Sequence, residues 1–142
     1  MFKRILLPID GSDVSKRAIE KAIGLAKLCG AHLFALYAIL PEVAEHFVSG
    51  QSRPYPVDDG STRAERYLSI VKNAADRANV PCDCIAMHGG EAWGVIIDVA
   101  HERACDLIVM GAHGRRGLTR MLLGSETQSV MLHSDIPVLI CR

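Results

Sequence analysis

The sequence has no excess of charge of either sign: its 142 residues contain 16 lysines and arginines and 16 aspartates and glutamates. A neutral chain offers no basic surplus for non-specific nucleic-acid binding, and no block of like charge marks an interaction tail. Long hydrophobic runs are also missing, since Pro8 and Asp10 cut the apolar opening short. We therefore expect a cytoplasmic protein that binds neither nucleic acid nor a membrane.

Cysteine is present, but it forms no ligand pattern. The five cysteines are Cys29, Cys82, Cys84, Cys105 and Cys141. Their number is odd and most lie on apolar segments. Cys82 and Cys84 share one face of a predicted strand, and no second pair completes a zinc site. We expect buried thiols rather than disulfides or a metal centre.

Several signatures of enzymes and signalling domains are absent. The first strand is followed by Asp10-Gly-Ser-Asp rather than the G-x-G-x-x-G of dinucleotide enzymes, and no Gly-Lys-Ser or Gly-Lys-Thr of a Walker ATPase occurs. A phosphotransfer receiver domain needs an aspartate where this chain has His88. It also needs a lysine where the chain ends on Arg142. No paired carboxylates or nucleophile–base set suggests catalysis, so we expect no evolved enzyme activity.

What the sequence does have is a regular alternation of apolar runs with amphipathic stretches. Short apolar runs are typical of strands covered on both faces, and apolar residues at helical spacing are typical of helices packed on one side. The alternation predicts one α/β domain over residues 1–142, with a doubly wound parallel sheet of five strands. The predicted strands are 4–9, 31–39, 82–87, 106–110 and 137–141, and the predicted helices end near residues 29, 78, 104 and 133.

Capping residues predict where the helices begin and end. Ser12 is expected to cap the first helix and Gly30 to end it. Thr62 and Ser125 are each followed three residues later by Glu or Gln, which is the capping-box pattern for the second and fourth helices. The stretch 41–60 holds three prolines and is predicted to be a long loop.

Glycines are concentrated between the fourth strand and the fourth helix. Gly111, Gly114, Gly117 and Gly124 lie in this run, and Ser125 follows it. Glycine lets backbone N–H groups approach a ligand because it has no Cβ, and a helix N-terminus adds unpaired N–H groups with partial positive charge. An ordinary turn needs one or two glycines, so the run predicts a cradle for phosphate or another anion.

The spacing of this run resembles the nucleotide-binding branch of the universal stress protein family. The family pattern is Gly, two residues, Gly, nine residues, Gly and then Ser or Thr, which corresponds here to Gly111, Gly114, residues 115–123, Gly124 and Ser125. The opening Pro8-Ile-Asp10 and the closing residues 136–141 support the resemblance, which spans essentially the whole chain. One position departs from the pattern: Glu126 follows Ser125, and its carboxylate suits a helix N-terminus but would repel a triphosphate.

The resemblance implies a Rossmann-like fold with strand order 3-2-1-4-5 and an adenine nucleotide bound where strands one and four diverge. It implies an ATP-binding protein of the stress response that acts through nucleotide-dependent conformation or partner binding. Asp10 ends strand one and Gly111 ends strand four, so both are expected at one crevice. The binding residues expected from the resemblance and the glycine run are Pro8, Asp10, Ala38, Met110, Gly111, His113, Gly114, Arg115, Gly124, Ser125 and Glu126.

Individual roles at this crevice have competing interpretations. By the resemblance, Asp10 lies near the adenosine or a phosphate-bound Mg²⁺, and the backbone of Ala38 reads the adenine edge. Asp10 can equally cap N–H groups of its own turn. Arg115 can clamp phosphate oxygens or remain a solvated loop charge. Two alternatives stay open for the function: the same fold binding another adenine nucleotide such as cyclic AMP, or a slow ATP hydrolase.

The final strand predicts self-association. Residues 137–141 contain no lysine and, by the resemblance, lie at an edge of the sheet. An apolar edge strand is normally covered, and Pro137 at its start costs little pairing. We expect a homodimer in which this strand, from Pro137 to Cys141, pairs with its copy.

Overall fold

Strands and helices alternate in the computed structural model, which describes residues 1–41, 60–112 and 123–142. The elements are β1 Arg4–Ile9, α1 Asp13–Cys29, β2 His32–Ile39, α2 Ser61–Arg77, β3 Cys82–His88, α3 Ala92–Glu102, β4 Leu107–Gly111, α4 Ser125–His133 and β5 Val138–Cys141. The strands form one parallel sheet in the order β3-β2-β1-β4-β5. This confirms the predicted doubly wound α/β class and strand order.

The central strand β1 shows why the sheet has helices on both faces. Its side chains alternate between the two sides, as a strand requires, and four of its six residues are buried. Ile5 and Leu7 belong to a core shared with α1 and α2, whereas Leu6 belongs to a second core shared with α3 and α4. A strand apolar on both faces is stable only between two helical layers, and the chain supplies both.

The ends of α1 follow the sequence prediction. Ser12 is the N-cap, and its hydroxyl oxygen accepts a hydrogen bond from the N–H of Ser15 at 3.2 Å. Gly30 ends the helix with φ 64°, the left-handed conformation that glycine adopts without strain. The third helix ends at Glu102 rather than at residue 104, because Ala104 takes a positive φ of 48°.

The capping boxes predicted at Thr62 and Ser125 are wrong. Gly60, with φ 87°, is the N-cap of α2, so Thr62 lies inside the first turn. Gly124 is the N-cap of α4, so Ser125 is its first helical residue. Gln128 was expected to reach back to the cap, but its side-chain amide donates to the carbonyl of Leu123 at 2.8 Å. In both helices a glycine that precedes the predicted Thr or Ser is the N-cap instead.

Candidate functional site

The switch point of the sheet, where the crevice is expected, lies between β1 and β4, which lead to opposite faces. The two strands pair at Leu6 and Ile108, and both continue beyond this pair toward the carboxyl edge. The chain then passes from β1 to α1 on one face, while α4 packs on the other face. Ligands of open α/β sheets bind at such switch points. The predicted site residues that the structure describes lie along this edge.

Three of the predicted residues provide an apolar surface at the edge. Pro8, Ala38 and Met110 come from the neighbouring strands β1, β2 and β4. Ala38 and Met110 pack with the core on the α3 and α4 side, and the alternation of β1 puts Pro8 on that side too. Met110 is buried, whereas Pro8 and Ala38 are half-buried. The sheet therefore brings these three residues to one face of the crevice.

Asp10 organises the turn that leads from β1 into α1. Its carboxylate oxygen Oδ1 accepts a hydrogen bond from the N–H of Ser12 at 2.9 Å. Its own N–H donates to the Ser15 hydroxyl at the longer distance of 3.4 Å. The structural role considered for this residue is thus observed. A half-buried carboxylate also has the oxygen chemistry that Mg²⁺ prefers, since this ion takes few protein ligands and keeps several waters.

Tyr67 of α2 packs against the same turn. A Cβ placed on Gly11 would collide with the Tyr67 ring, and Gly11 has a positive φ of 82°. The Tyr67 ring also stacks on Tyr37 of β2, with ring centroids 5.9 Å apart. Glycine at position 11 lets an aromatic pair approach the β1–α1 turn.

Gly111 has a packing role that the motif did not predict. A Cβ at this position would lie 2.9 Å from Cγ1 of Val14 and 3.2 Å from the Val14 carbonyl carbon. Real Cβ atoms rarely approach other atoms this closely. The glycine therefore lets the end of β4 contact the first turn of α1, whatever else it does for a ligand.

Both ends of the glycine run are fixed to the same strand end. The N–H of Gly124 donates to the carbonyl of Ala112 at 2.8 Å. The hydroxyl of Thr127, which is only 2% exposed, donates to the carbonyl of Gly111 at 3.1 Å. The first turn of α4 is thereby held against β4. Thr127 was missed by the sequence analysis, because its partner is defined only by the tertiary fold.

The first turn of α4 lies beside the carboxyl end of β4. In residues 1–41, 60–112 and 123–142, no side-chain hydrogen bond caps this helix. Its N-cap, Gly124, has φ −59° and ψ 153°, which any residue can adopt, so the glycine is distinguished by its missing side chain. Ser125 is exposed at the same end. The helix thus presents N–H groups and a partial positive charge there.

Glu126 contacts a neighbouring helix. Its carboxylate oxygen Oε2 accepts a hydrogen bond from the backbone N–H of Trp93 at 2.8 Å, in the first turn of α3. The N-cap of α3, Glu91, forms no side-chain cap of its own. The carboxylate therefore caps the N-terminus of α3, although Glu126 is far from that helix in the sequence. A negative charge is favourable at a helix N-terminus.

The remaining predicted site residues, His113, Gly114 and Arg115, lie outside the described residues. No cluster of three or more histidine, cysteine, aspartate or glutamate side chains that could hold a metal occurs in the part of the chain that is described. None of the helices described there combines the length and apolar character needed to span a membrane.

The cysteines are only partly as predicted. Cys82, Cys105 and Cys141 are buried, but Cys84 is exposed and Cys29 half-buried. All five are free. Burial raises the pKa of Cys82 to about 12 and that of Cys105 to about 11, so these two thiols are protonated at neutral pH. They therefore lack the thiolate form that metals and electrophiles require.

A sequence profile of the universal stress protein family matches residues 1–142. The universal stress protein YxiE of Bacillus subtilis is 34% identical over 157 residues, with full coverage of both chains. The universal stress protein MJ0531 of Methanocaldococcus jannaschii is 32% identical over 142 residues, which is all of this chain and 83% of the relative.

Solved structures of this family share the fold. The universal stress protein UspA from Lactobacillus plantarum superposes with a TM-score of 0.81 at 26% identity, covering 99% of this chain and 97% of that one. A universal stress protein in complex with cAMP has a TM-score of 0.75 at 24% identity, with the same coverage. One from Archaeoglobus fulgidus in complex with dAMP has a TM-score of 0.73 at 19% identity, covering 100% and 98%.

Proposed function

The chain belongs to the universal stress protein family, and we propose that it is a regulatory protein that binds ATP, with Mg²⁺, at the crevice between Asp10 and Ser125. It acts in the cytoplasm, and nucleotide binding changes its conformation or its affinity for a partner. Its role is regulatory rather than catalytic.

The observation that carries this proposal is the first turn of α4 beside the switch point, which no side chain of the described residues caps. The neighbouring helices have their N-termini occupied by the chain itself, α1 by the Ser12 hydroxyl and α3 by the Glu126 carboxylate. The first turn of α4 instead has no side-chain cap among the described residues, and it begins at Gly124 and Ser125, the last residues of the family motif. An anion such as a nucleotide phosphate is the ligand that an open helix N-terminus favours.

The apolar surface beside this turn favours a nucleotide over a simple anion. The half-buried Pro8 and Ala38 offer carbon surface to an aromatic base, and the backbone of a strand, such as that of the buried Met110, can hydrogen-bond its edge. Neighbours in the same family were solved with cAMP and with dAMP, which are both adenine nucleotides. Asp10 would contribute one oxygen ligand to Mg²⁺ on the phosphates, which lowers their charge.

Cyclic AMP is the second candidate ligand. A family neighbour binds it, and its single negative charge suits a helix turn that already contains Glu126. The two candidates differ in their need for Mg²⁺, because a cyclic monophosphate lacks the neighbouring phosphates that chelate the ion.

Calorimetric titration of the whole chain tests the proposal. Mg-ATP should bind saturably, and Gly114→Val should abolish binding without unfolding the protein, because valine puts a branched side chain where backbone must approach phosphate. Gly94→Val is the matched control. It lies within α3, and a Cβ there has no heavy atom within 4 Å.

Each outcome of this titration has a defined meaning. Binding of Mg-ATP by Gly114→Val with parental affinity would show that the cradle is misplaced. If cyclic AMP binds saturably and Mg-ATP does not, cyclic AMP is the ligand of this site. Phosphate release from Mg-ATP that is lost in Gly114→Val and kept in Gly94→Val would assign hydrolysis to this site.

We also propose that the protein is a homodimer joined through β5. This strand is at an edge of the sheet, and Leu139 at its centre is 42% exposed. An exposed apolar residue lies next to it: Leu28 lines a groove between α1 and β5. Pairing β5 with its copy about a two-fold axis would satisfy the open edge and cover these residues.

A further inference from the structure

Trp93 of α3 contacts α4 near both of its ends. Its backbone N–H bonds to the Glu126 carboxylate in the first turn of α4. Its ring stacks on His133 in the last turn, with centroids 4.5 Å apart and an interplanar angle of 25°. Val130, fully buried, lies between them on the same face, since residues 126, 130 and 133 recur at helical spacing.

The first turn of α4 is therefore fixed from two directions. The Thr127 hydroxyl and the Gly124 N–H attach it to the end of β4. The Glu126 carboxylate attaches it to α3. The N–H groups proposed to bind phosphate belong to this turn, so their direction depends on both attachments. Thr127 and Gly124 bond to residues 111 and 112, at the start of the glycine run. Of these three residues, Glu126 alone bonds to a different part of the chain, the helix α3.

The bond of Glu126 also decides where its charge acts. A carboxylate that accepts a backbone N–H at 2.8 Å forms a charge-assisted hydrogen bond. Its negative charge lies at the positive end of α3, where it is stabilised. The side chain is thus committed to α3, and we expect its repulsion of a bound phosphate to be smaller than that of a carboxylate pointing into the crevice.

We propose that Glu126 is a positioning residue that holds the first turn of α4 in its phosphate-binding orientation through the N-terminus of α3, and that Trp93 senses whether the turn is occupied. This inference rests on the proposed nucleotide site. It adds a coupling between that site and α3, so that α3 and α4 respond to the nucleotide as one unit.

Two variants separate the bond from the charge. Glu126→Gln keeps a side-chain oxygen that can accept from Trp93 but removes the charge, whereas Glu126→Ala removes both. Affinities for Mg-ATP and for adenosine are measured by calorimetry, and emission from Trp93, the single tryptophan, is recorded with and without Mg-ATP. Glu65→Ala, at an exposed position on α2, is the matched control.

The proposal predicts that Glu126→Ala weakens Mg-ATP about tenfold, in line with the loss of one hydrogen bond to a charged group. Glu126→Gln should recover most of this loss, and adenosine, which has no phosphate, should bind all variants alike. Mg-ATP should shift Trp93 emission in the parent and in Glu126→Gln but not in Glu126→Ala.

Two results would overturn the proposal. If both variants bind Mg-ATP more tightly than the parent, Glu126 acts as a repelling charge. If Glu126→Ala is less stable but binds Mg-ATP as the parent does, the carboxylate is only a cap of α3. The titration of the parent decides the proposed function separately, since a parent that binds no adenine nucleotide refutes the site, and the positioning role with it.

Discussion

Gly111→Ala tests whether the first glycine of the motif is required by packing. The added Cβ would lie 2.9 Å from Cγ1 of Val14 and 3.2 Å from its carbonyl carbon. The first contact can relax by movement of a side chain, but the second involves the backbone of α1. Overpacking of this kind costs about 1–3 kcal/mol of the free energy of unfolding. We expect Gly111→Ala to fall in that range.

A second substitution tests the cause. Val14→Ala removes Cγ1 and so relieves the shorter contact, but it leaves the backbone contact in place. On its own it should cost about 1 kcal/mol, since Val14 is half-buried and loses two methyl groups. The double variant should be more stable than the sum of the two single effects by about 1 kcal/mol, as expected for residues in direct contact.

Urea unfolding of the parent, both single variants and the double variant gives the four free energies required. Gly94→Ala is the control, because it fills open space within a helix and should stabilise the protein by about 0.5–1 kcal/mol. A Gly111→Ala variant as stable as the parent would refute the packing argument. Strict additivity of the two substitutions would show that the Val14 side chain is not the source of the conflict.

Two further predictions concern the sheet edge and a buried thiol. Leu139→Lys should shift the mass measured by light scattering from dimer to monomer, and a parent that is monomeric at tens of micromolar would refute the dimer. Because burial raises the pKa of Cys82 from 9.0 to about 12, the unfolded chain loses this proton first, and stability should fall as pH rises through this interval. Above pH 9, the free energy of unfolding measured in urea should fall less steeply with pH in Cys82→Ala than in the parent. Equal slopes against pH would contradict the raised pKa of Cys82.

Local signals in the sequence were sufficient where a single residue determines a single contact. Ser12 precedes an amphipathic helix and caps it, and Gly30 follows the last apolar position and ends it. The alternation of buried strands and one-sided helices predicted the class of the fold. The strand order came from the family resemblance, because periodicity describes each element but not its neighbours in the sheet.

The sequence was insufficient where two patterns competed or where partners are distant. Thr62 and Ser125 matched the capping box, but the preceding glycines became the caps. The role of Glu126 was predicted from the adjacent glycine run, whereas its hydrogen-bond partner, Trp93, is 33 residues away in the sequence. No local pattern contains that distance. The binding roles of the site residues stay a prediction, and no pattern in the sequence contains the packing against Val14 that makes Gly111 necessary.

The hydrogen bond between Gly124 and Ala112 joins the two residues that precede α4 and follow β4. This bond and the bond from Thr127 to Gly111 attach the first turn of α4 to the end of β4. The position of α4 therefore depends on residues outside the stretch between residues 112 and 124. Closing a longer stretch between fixed ends is inexpensive, since doubling its length costs only about 0.6 kcal/mol. We therefore expect α4 to keep its position when the segment between residues 112 and 124 is exchanged, and we expect new ligand specificity to be graftable there.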